Sequence, residues 1–204
     1  MSDSLDPIKY EVFMRRLKSI LEEGRQAIAM VSGSPAIVEG GEFMTSFYNG
    51  DGMGILTASG TLFHVVGSSD SIKHAIAEYA ENPGIDEGDQ FFYNDPYLAG
   101  THLMDQIMVK PIFHEGRRVA WVGTMSHTGD TGGLLRGLST EIFHEGIRFR
   151  GIKMVERGRI RKDIFTTILS QCRDPEYVSL DMLARIASNN VCSEGYVPSP
   201  STVR

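Results

Sequence analysis

The sequence has two cysteines, one tryptophan, no long apolar run and no surplus of positive charge. Each scarcity excludes something. Cys172 and Cys192 form no C-x-x-C pair, which rules out a zinc knuckle and leaves no basis for a disulfide scaffold. A chain with so few thiols is at home in a reducing cytoplasm. No stretch approaches the ~20 apolar residues of a membrane span. The N-terminal run MSDSLDPIKYEVF lacks the apolar centre of a signal peptide. The expectation is a soluble, cytoplasmic chain without a membrane partner. The balance of 20 Lys and Arg against 26 Asp and Glu gives a net charge of −6. Phosphate backbones need clustered cations, so a nucleic-acid partner is not expected. The one basic run, RGRIRK (157–162), is flanked by Glu156 and Asp163 and reads as a solvated turn leading into a helix. No G-x-S-x-G nucleophile elbow occurs. The glycine-rich GDTGGLLRG (129–137) matches neither phosphate-loop pattern, so no ATP site is read into it.

What remains is 204 residues, 41% hydrophobic and 23% charged, enough chain to bury a core within one domain, 1–204. The clearest helix runs from Asp6, an N-cap, through Pro7 at the first helical position. Its apolar stripe is Tyr10, Phe13, Leu17, Ile20, Leu21 and Ile28, and SGSP (32–35) ends it. EFMTSFYNGDGMGILTA predicts a hairpin about Asn49-Gly50-Asp51-Gly52. GSSDSIKHAIAEYA (67–80) predicts a second helix capped by a serine or Asp70, and QFFYN a short buried strand. Residues 106–113 and 119–126 predict a second hairpin, with Pro111 suggesting an edge strand. TEIFHEGIRFRGIKMV (140–155) is expected to be extended. KDIFTTILSQC and PEYVSLDMLARIASNN predict helices, and the tail 195–204 is expected to be irregular. Helices mixed with sequential hairpins favour an α+β fold over a doubly wound sheet.

Two stretches share the pattern His-x-x-Asp: GTHLMD, with His102 and Asp105, and MSHTGD, with His127 and Asp130. If the hairpin turns on Gly116, residues equidistant from it face one another. Val119 then opposes Phe113, Trp121 opposes Pro111, Met125 opposes Ile107, and Asp105 opposes His127. Facing residues have Cβ atoms roughly 5 Å apart, so the two motifs meet at the open end of one hairpin. Within a strand, i and i+3 point to opposite faces. Each motif must therefore bend if both its members are to reach one ion, and Gly100 and the glycines 129, 132 and 133 permit that bend. Two imidazoles with one to three carboxylates make an N/O donor set suited to Mn, Fe or Zn, with a position left open for water or substrate. Glu42 in VEGGEF is a candidate further ligand. Asp95 in NDPY is a candidate for orienting an imidazole. Of the other histidines, His74 (second helix), His114 (turn) and His144 (extended run) receive structural readings, and His64 in LFHVVG reads as a satisfied core residue. Glu141 and Glu145 read as solvated carboxylates rather than an acid/base pair.

SPAIVEGGEF, YNGDG, FFYNDPYLAGTHLMDQ, PIFHEGRRVAWVG, SHTGDTGG and TEIFHEGIR carry a resemblance spanning residues 7 to 190. The chain resembles the hydantoinase B / 5-oxoprolinase / acetone carboxylase family. AWVG…SHTGDTGG is most similar to the metal-bearing subunits of acetone and acetophenone carboxylases. Hydantoinase B members more often read HHADIGG, where Thr128 stands in place of the second histidine. Members are several times longer, so this chain corresponds to the N-terminal portion of the family's subunit, as a split subunit or a fragment. The resemblance implies an α+β fold around a metal site, and a subunit of an ATP-dependent complex that carboxylates a ketone with bicarbonate. A hydantoinase A-like partner binds ATP and magnesium, and further subunits complete a hetero-oligomer. The implied metal is manganese before zinc or iron, acting as Lewis acid on an enolate or carboxylate oxygen. The implied ligands and catalytic residues are His102, Asp105 and His127, with Glu42 and Asp130 beside them as metal ligands. Two alternatives stay open: the B subunit of an ATP-dependent hydantoinase or oxoprolinase that opens a cyclic amide, and a non-catalytic structural subunit.

Overall fold

A computed structural model describes residues 6–58, 62–134 and 138–196. Its frame is a seven-stranded antiparallel sheet in the order β2-β1-β5-β4-β3-β6-β7. The strands are β1 (Phe43–Asn49), β2 (Gly54–Thr57), β3 (Gln90–Tyr93), β4 (Asp105–His114), β5 (Arg117–His127), β6 (Arg150–Glu156) and β7 (Arg159–Ile160). Helices cover both faces. α3 (Leu62–Tyr79) packs on one face; α1 (Pro7–Val31), α4 (Lys162–Leu169) and α5 (Pro175–Gly195) pack on the other; the single turn α2 (Pro35–Val38) leads from α1 towards β1. This is the expected mixture of helices and antiparallel hairpins. No helix among the described residues is long and apolar enough to cross a membrane.

Period-two alternation sorts the strand residues between two cores. Phe91, Tyr93, Ile107, Val109, Trp121 and Met125 meet Ile72 and Ala75 of α3. Their neighbours Phe92, Met108, Ala120 and Val122 point the other way, into the clusters under α1, α4 and α5. α1 follows its sequence signals: the Asp6 carboxylate accepts from the Ile8 amide at 3.0 Å, Pro7 opens the helix, and Ser32 closes it. The basic run forms the β6–β7 turn, where Arg157 pairs with Asp86 and Arg161 with Asp163, as a solvated turn should.

Several expectations need correction. α3 begins at Leu62, so Ser68, Ser69 and Asp70 lie inside the helix rather than capping it; the apolar LFHVV run is its first turns. β4 is central rather than an edge strand. Pro111 is tolerated because β3 stops short of it: their pairing ends at Phe91↔Val109, so the missing N–H has no strand to bond on that side. Residues 140–155 are not uniformly extended. Ile142–Glu145 form a 3-10 turn, Gly146 (φ 120°) breaks it, and β6 starts only at Arg150. α5 runs past Asn190 to Gly195, and Tyr196 is buried against Phe47, so the tail is ordered to that point. Residues 197–204 lie outside the described residues.

The β4–β5 register sets the site. Asp105↔His127, Ile107↔Met125 and Pro111↔Trp121 pair as expected, but Val119 does not face Phe113. The loop is the two-residue Glu115-Gly116, with φ of 49° and 75°, so Phe113 pairs with Arg118. A bulge then takes up Val119 and restores the register from Ile112↔Ala120 onward. Two successive left-handed residues are the demand of a type I′ loop, which favours Asn-Gly. Glu115→Asn is expected to stabilise the protein by roughly 0.5–1 kcal/mol, and Gly116→Val to cost about 1–2 kcal/mol, read from urea unfolding midpoints.

Candidate metal centre

Alternation along β4 and β5 puts Asp105 and His127 on the same face as Ile107 and Met125, the face that α3 covers. α3 thereby brings His64 to them. The chain reaches Asp105 through a tight loop rather than a straight strand. Asn94 anchors it: Nδ2 donates to the carbonyls of Leu103 (3.2 Å) and Ile147 (2.9 Å), and Oδ1 accepts from the Phe149 amide. Gly100 has φ of 96°, and a Cβ there would lie 3.0 Å from Cβ of Asp105. The Asp105 amide donates back to the His102 carbonyl at 3.1 Å. That turn lets an i, i+3 pair converge, which a strand would forbid.

His102, Asp105 and His127 each offer a donor atom, and the three atoms lie within 4.8 Å of one another. Asp105 Oδ1 is the hub, 3.5 Å from His127 Nδ1, 3.8 Å from His102 Nε2 and 3.8 Å from His64 Nε2. Glu42 Oε2 lies 3.8 Å from His127 Nδ1. The rings of His102 and His127 meet edge to face, centroids 4.8 Å apart. The other oxygen of Asp105 is committed: Oδ2 accepts from the Thr101 amide at 2.9 Å and its hydroxyl at 2.8 Å. Oδ1 is thus presented to the imidazoles.

The donor set fits a divalent metal. Contacts of 3.5–3.8 Å exceed hydrogen-bond length, while two donors at roughly 2.1 Å from a shared ion stand about 3–3.5 Å apart. One carboxylate among imidazoles suits Mn, Fe or Zn. Electrostatics agree. Burial alone would raise the Asp105 pKa, but the facing His127, the Thr101 donors and His102 together hold it well below the usual carboxylate range. Burial pushes the His64 imidazole down from its ordinary value, with Asp105 opposing. The Asp105 carboxylate is therefore held in its ionised form, as a metal ligand must be, and burial biases the His64 ring toward its neutral form. The cluster has a closed and an open side: the side chains of Asp105 and His127 are 3% and 7% exposed, those of His102 and Glu42 29% and 50%.

Asp130 is not brought to this cluster. Its carboxylate accepts from the amides of Gly132 (2.9 Å), Arg173 and Asp174 (3.0 Å), tying the glycine loop to the start of α5. It also lines a cavity of about 200 Å³ with Met104, Gly129, Thr131 and Arg173. A larger cavity, about 540 Å³, lies on the exposed β6–β7 turn and holds no ligand cluster, so volume does not locate the site here. The rest of the glycine loop, 135–137, lies outside the described residues. Asp95 accepts from the Tyr97 amide and faces the guanidinium groups of Arg148 and Arg150 at 3.8 Å. Glu145 is not merely solvated: its Oε2 accepts from the Leu103 amide at 2.8 Å and so braces the His102 loop. His144 pairs with Glu141 on the surface. His64, read from sequence as a satisfied core residue, is buried, and the structure adds its approach to Asp105. An α3 drawn from Leu62 places His64 five residues before Ser69, but nothing in the sequence shows which strand α3 will cover.

Set beside known proteins, residues 6–197 match the family model described as hydantoinase B/oxoprolinase. The chain is 28% identical over 190 residues to the acetophenone carboxylase delta subunit of Aromatoleum aromaticum, covering 91% of this chain and 27% of that one. It is 29% identical over 187 residues to the acetone carboxylase alpha subunit of Xanthobacter autotrophicus, covering 89% and 24%. The nucleotide-free structure of an acetone carboxylase superposes with a TM-score of 0.88 at 28% identity, over 94% of this chain and 26% of that one. The chain thus spans about a quarter of the length of these relatives. A family match over nearly the whole chain, on the same antiparallel frame, makes this chain a member of the hydantoinase B/oxoprolinase family.

Proposed function

We propose that the chain is the metal-bearing part of an ATP-dependent ketone carboxylase, joining an acetone- or acetophenone-like ketone to bicarbonate. In this reading residues 1–204 form one unit of a longer or split subunit. The observation that supports it most is the trio His102, Asp105 and His127, in a chain similar to acetone and acetophenone carboxylase subunits. These three hold a divalent ion, manganese before zinc or iron, with Glu42 at the open side. When bound, the ion supplies Lewis acidity to an enolate or carboxylate oxygen. Asp130 shapes the adjoining loop instead of ligating.

The chain's own residues do the rest. Thr101 fixes Oδ2 of Asp105 so that Oδ1 alone faces the ion. The sheet and α3 keep water from the Asp105–His127 side, since enolates and activated bicarbonate are quenched by water. Substrate enters past His102 and Glu42, the exposed edge. ATP is handled by a hydantoinase A-like partner subunit within a hetero-oligomer, as the similarity to subunits of acetone and acetophenone carboxylases suggests.

His102→Ala and His127→Ala are each expected to abolish stoichiometric metal by elemental analysis, with loss of activity. Retention of full metal by both would remove the site, and loss of metal with full activity would make the ion structural. Thr101→Val removes the hydroxyl donor to Asp105 Oδ2 and leaves only the residue-101 amide on it, and is expected to weaken metal affinity roughly 10–100-fold, as outer-shell losses do, in a competitive chelator titration. With the ATP-binding partner present, incorporation of labelled bicarbonate is expected to need both ATP and ketone. Fixation indifferent to ketone sinks the carboxylase reading, and ATP-dependent opening of a cyclic amide replaces it with the hydantoinase one.

A further inference from the structure

α5 runs behind the open end of the β4–β5 hairpin, on the sheet face opposite the donor cluster, and carries two buried charged side chains one turn apart, Asp181 and Arg185. Neither belongs to the cluster. Asp181 accepts five hydrogen bonds. Oδ1 takes the amides of Gly33 and Ser34, both at 3.1 Å, and the Ser32 hydroxyl. Oδ2 takes the Ser34 hydroxyl and, at 3.1 Å, the Thr128 hydroxyl. Arg185 Nη2 donates to the Ser126 carbonyl at 3.3 Å. Ser126 and Thr128 are the two neighbours of His127.

The other donors to Asp181 lie in the turn between α1 and α2, which leads to Glu42. The Glu42 carbonyl in turn accepts from the His127 amide at 3.1 Å. One buried carboxylate thus ties together the two segments that deliver His127 and Glu42. A buried anion held by several donors has little freedom to move, because any displacement leaves charge unsatisfied. Resting on the metal reading above, we propose that Asp181, through the Thr128 hydroxyl and seconded by Arg185 on Ser126, is a positioning residue that sets His127 and Glu42 for the ion. Thr128 serves the centre from behind, its hydroxyl turned to α5 and not to the donor cluster.

The test is titration of the full chain with Mn(II) and, in parallel, Zn(II) against a competing chelator. Thr128→Val keeps the shape and removes the hydroxyl; Thr128→Ser keeps the hydroxyl. Ile168→Ala, on α4 in the cluster that includes Met182 and Ile186, serves as a destabilised control that removes none of the Asp181 hydrogen bonds. The expected result is affinity lowered about 10–100-fold in Thr128→Val, near wild type in Thr128→Ser and unchanged in Ile168→Ala. Undiminished affinity in Thr128→Val, or an equal loss in Ile168→Ala, overturns the inference. Failure of the unaltered chain to bind either ion overturns the metal reading together with it, whereas wild-type binding shared by Thr128→Val overturns this inference alone.

Discussion

The pairing of Asp105 with His127 across the open end of one hairpin is the constraint on which the rest of the site depends. It is fixed by β-sheet geometry. A slip of one residue would turn Asp105 or His127 to the other face, away from the partner it must meet. The pairing is held from within by ten residues of β4 and eleven of β5. It is held from beyond by the ladder that continues past it, with the His127 amide on Glu42 and the Thr128 amide on Met104. The hairpin end is therefore anchored on both sides where most hairpin ends fray. Central placement adds to this, since β1 pairs with β5 as far as Ser126 and β3 pairs with β4 from Ile107 to Val109.

The sequence carries that constraint, though through two features that compensate one another. Centring the turn on Gly116 overcounts the loop by half a residue per side, because the true loop is Glu115-Gly116. The bulge at Val119 takes up the difference. Bulges leave little trace in composition, so the error near the turn was invisible, while the alternation of Ile107, Val109, Trp121 and Met125 carried the correct parity to the far end. The α1 boundaries were legible for a local reason: Asp6, Pro7 and Ser32 act on their own backbone. The α3 start was not, since an apolar LFHVV run satisfies strand and helix patterns alike.

Three residues whose partners lie far off in the chain share a feature. His64, Glu145 and Asp130 take their roles from partners 41, 42 and 43 positions away: Asp105, Leu103 and Arg173. No periodicity encodes such distances. A His-x-x-Asp spacing says that two donors are near in sequence, and here the two copies diverge. His102 and Asp105 converge because Gly100 and the back-bond from Asp105 close a turn. His127 and Asp130 separate because His127 ends a strand and Asp130 is spent on the start of α5. Identical spacings thus give one pair of convergent donors and one brace, and the difference lies in what each backbone is doing.

The division between a closed and an open side has a chemical consequence. Asp105 sits where a bare carboxylate would be costly, and it remains ionised because its Oδ1 faces His127 and its Oδ2 accepts two hydrogen bonds from Thr101. A neutral His64 beside it adds a lone pair or a donor without adding charge. The charge of the cluster is then set by two carboxylates of opposite habit, Asp105 buried and rigid, Glu42 half-exposed and attached through a glycine-rich approach. The donor cluster thus pairs one enclosed, doubly hydrogen-bonded carboxylate with one that faces solvent. Of the four donors, His102 and Glu42 are the two that solvent reaches, and Asp105 and His127 the two that the sheet and α3 enclose.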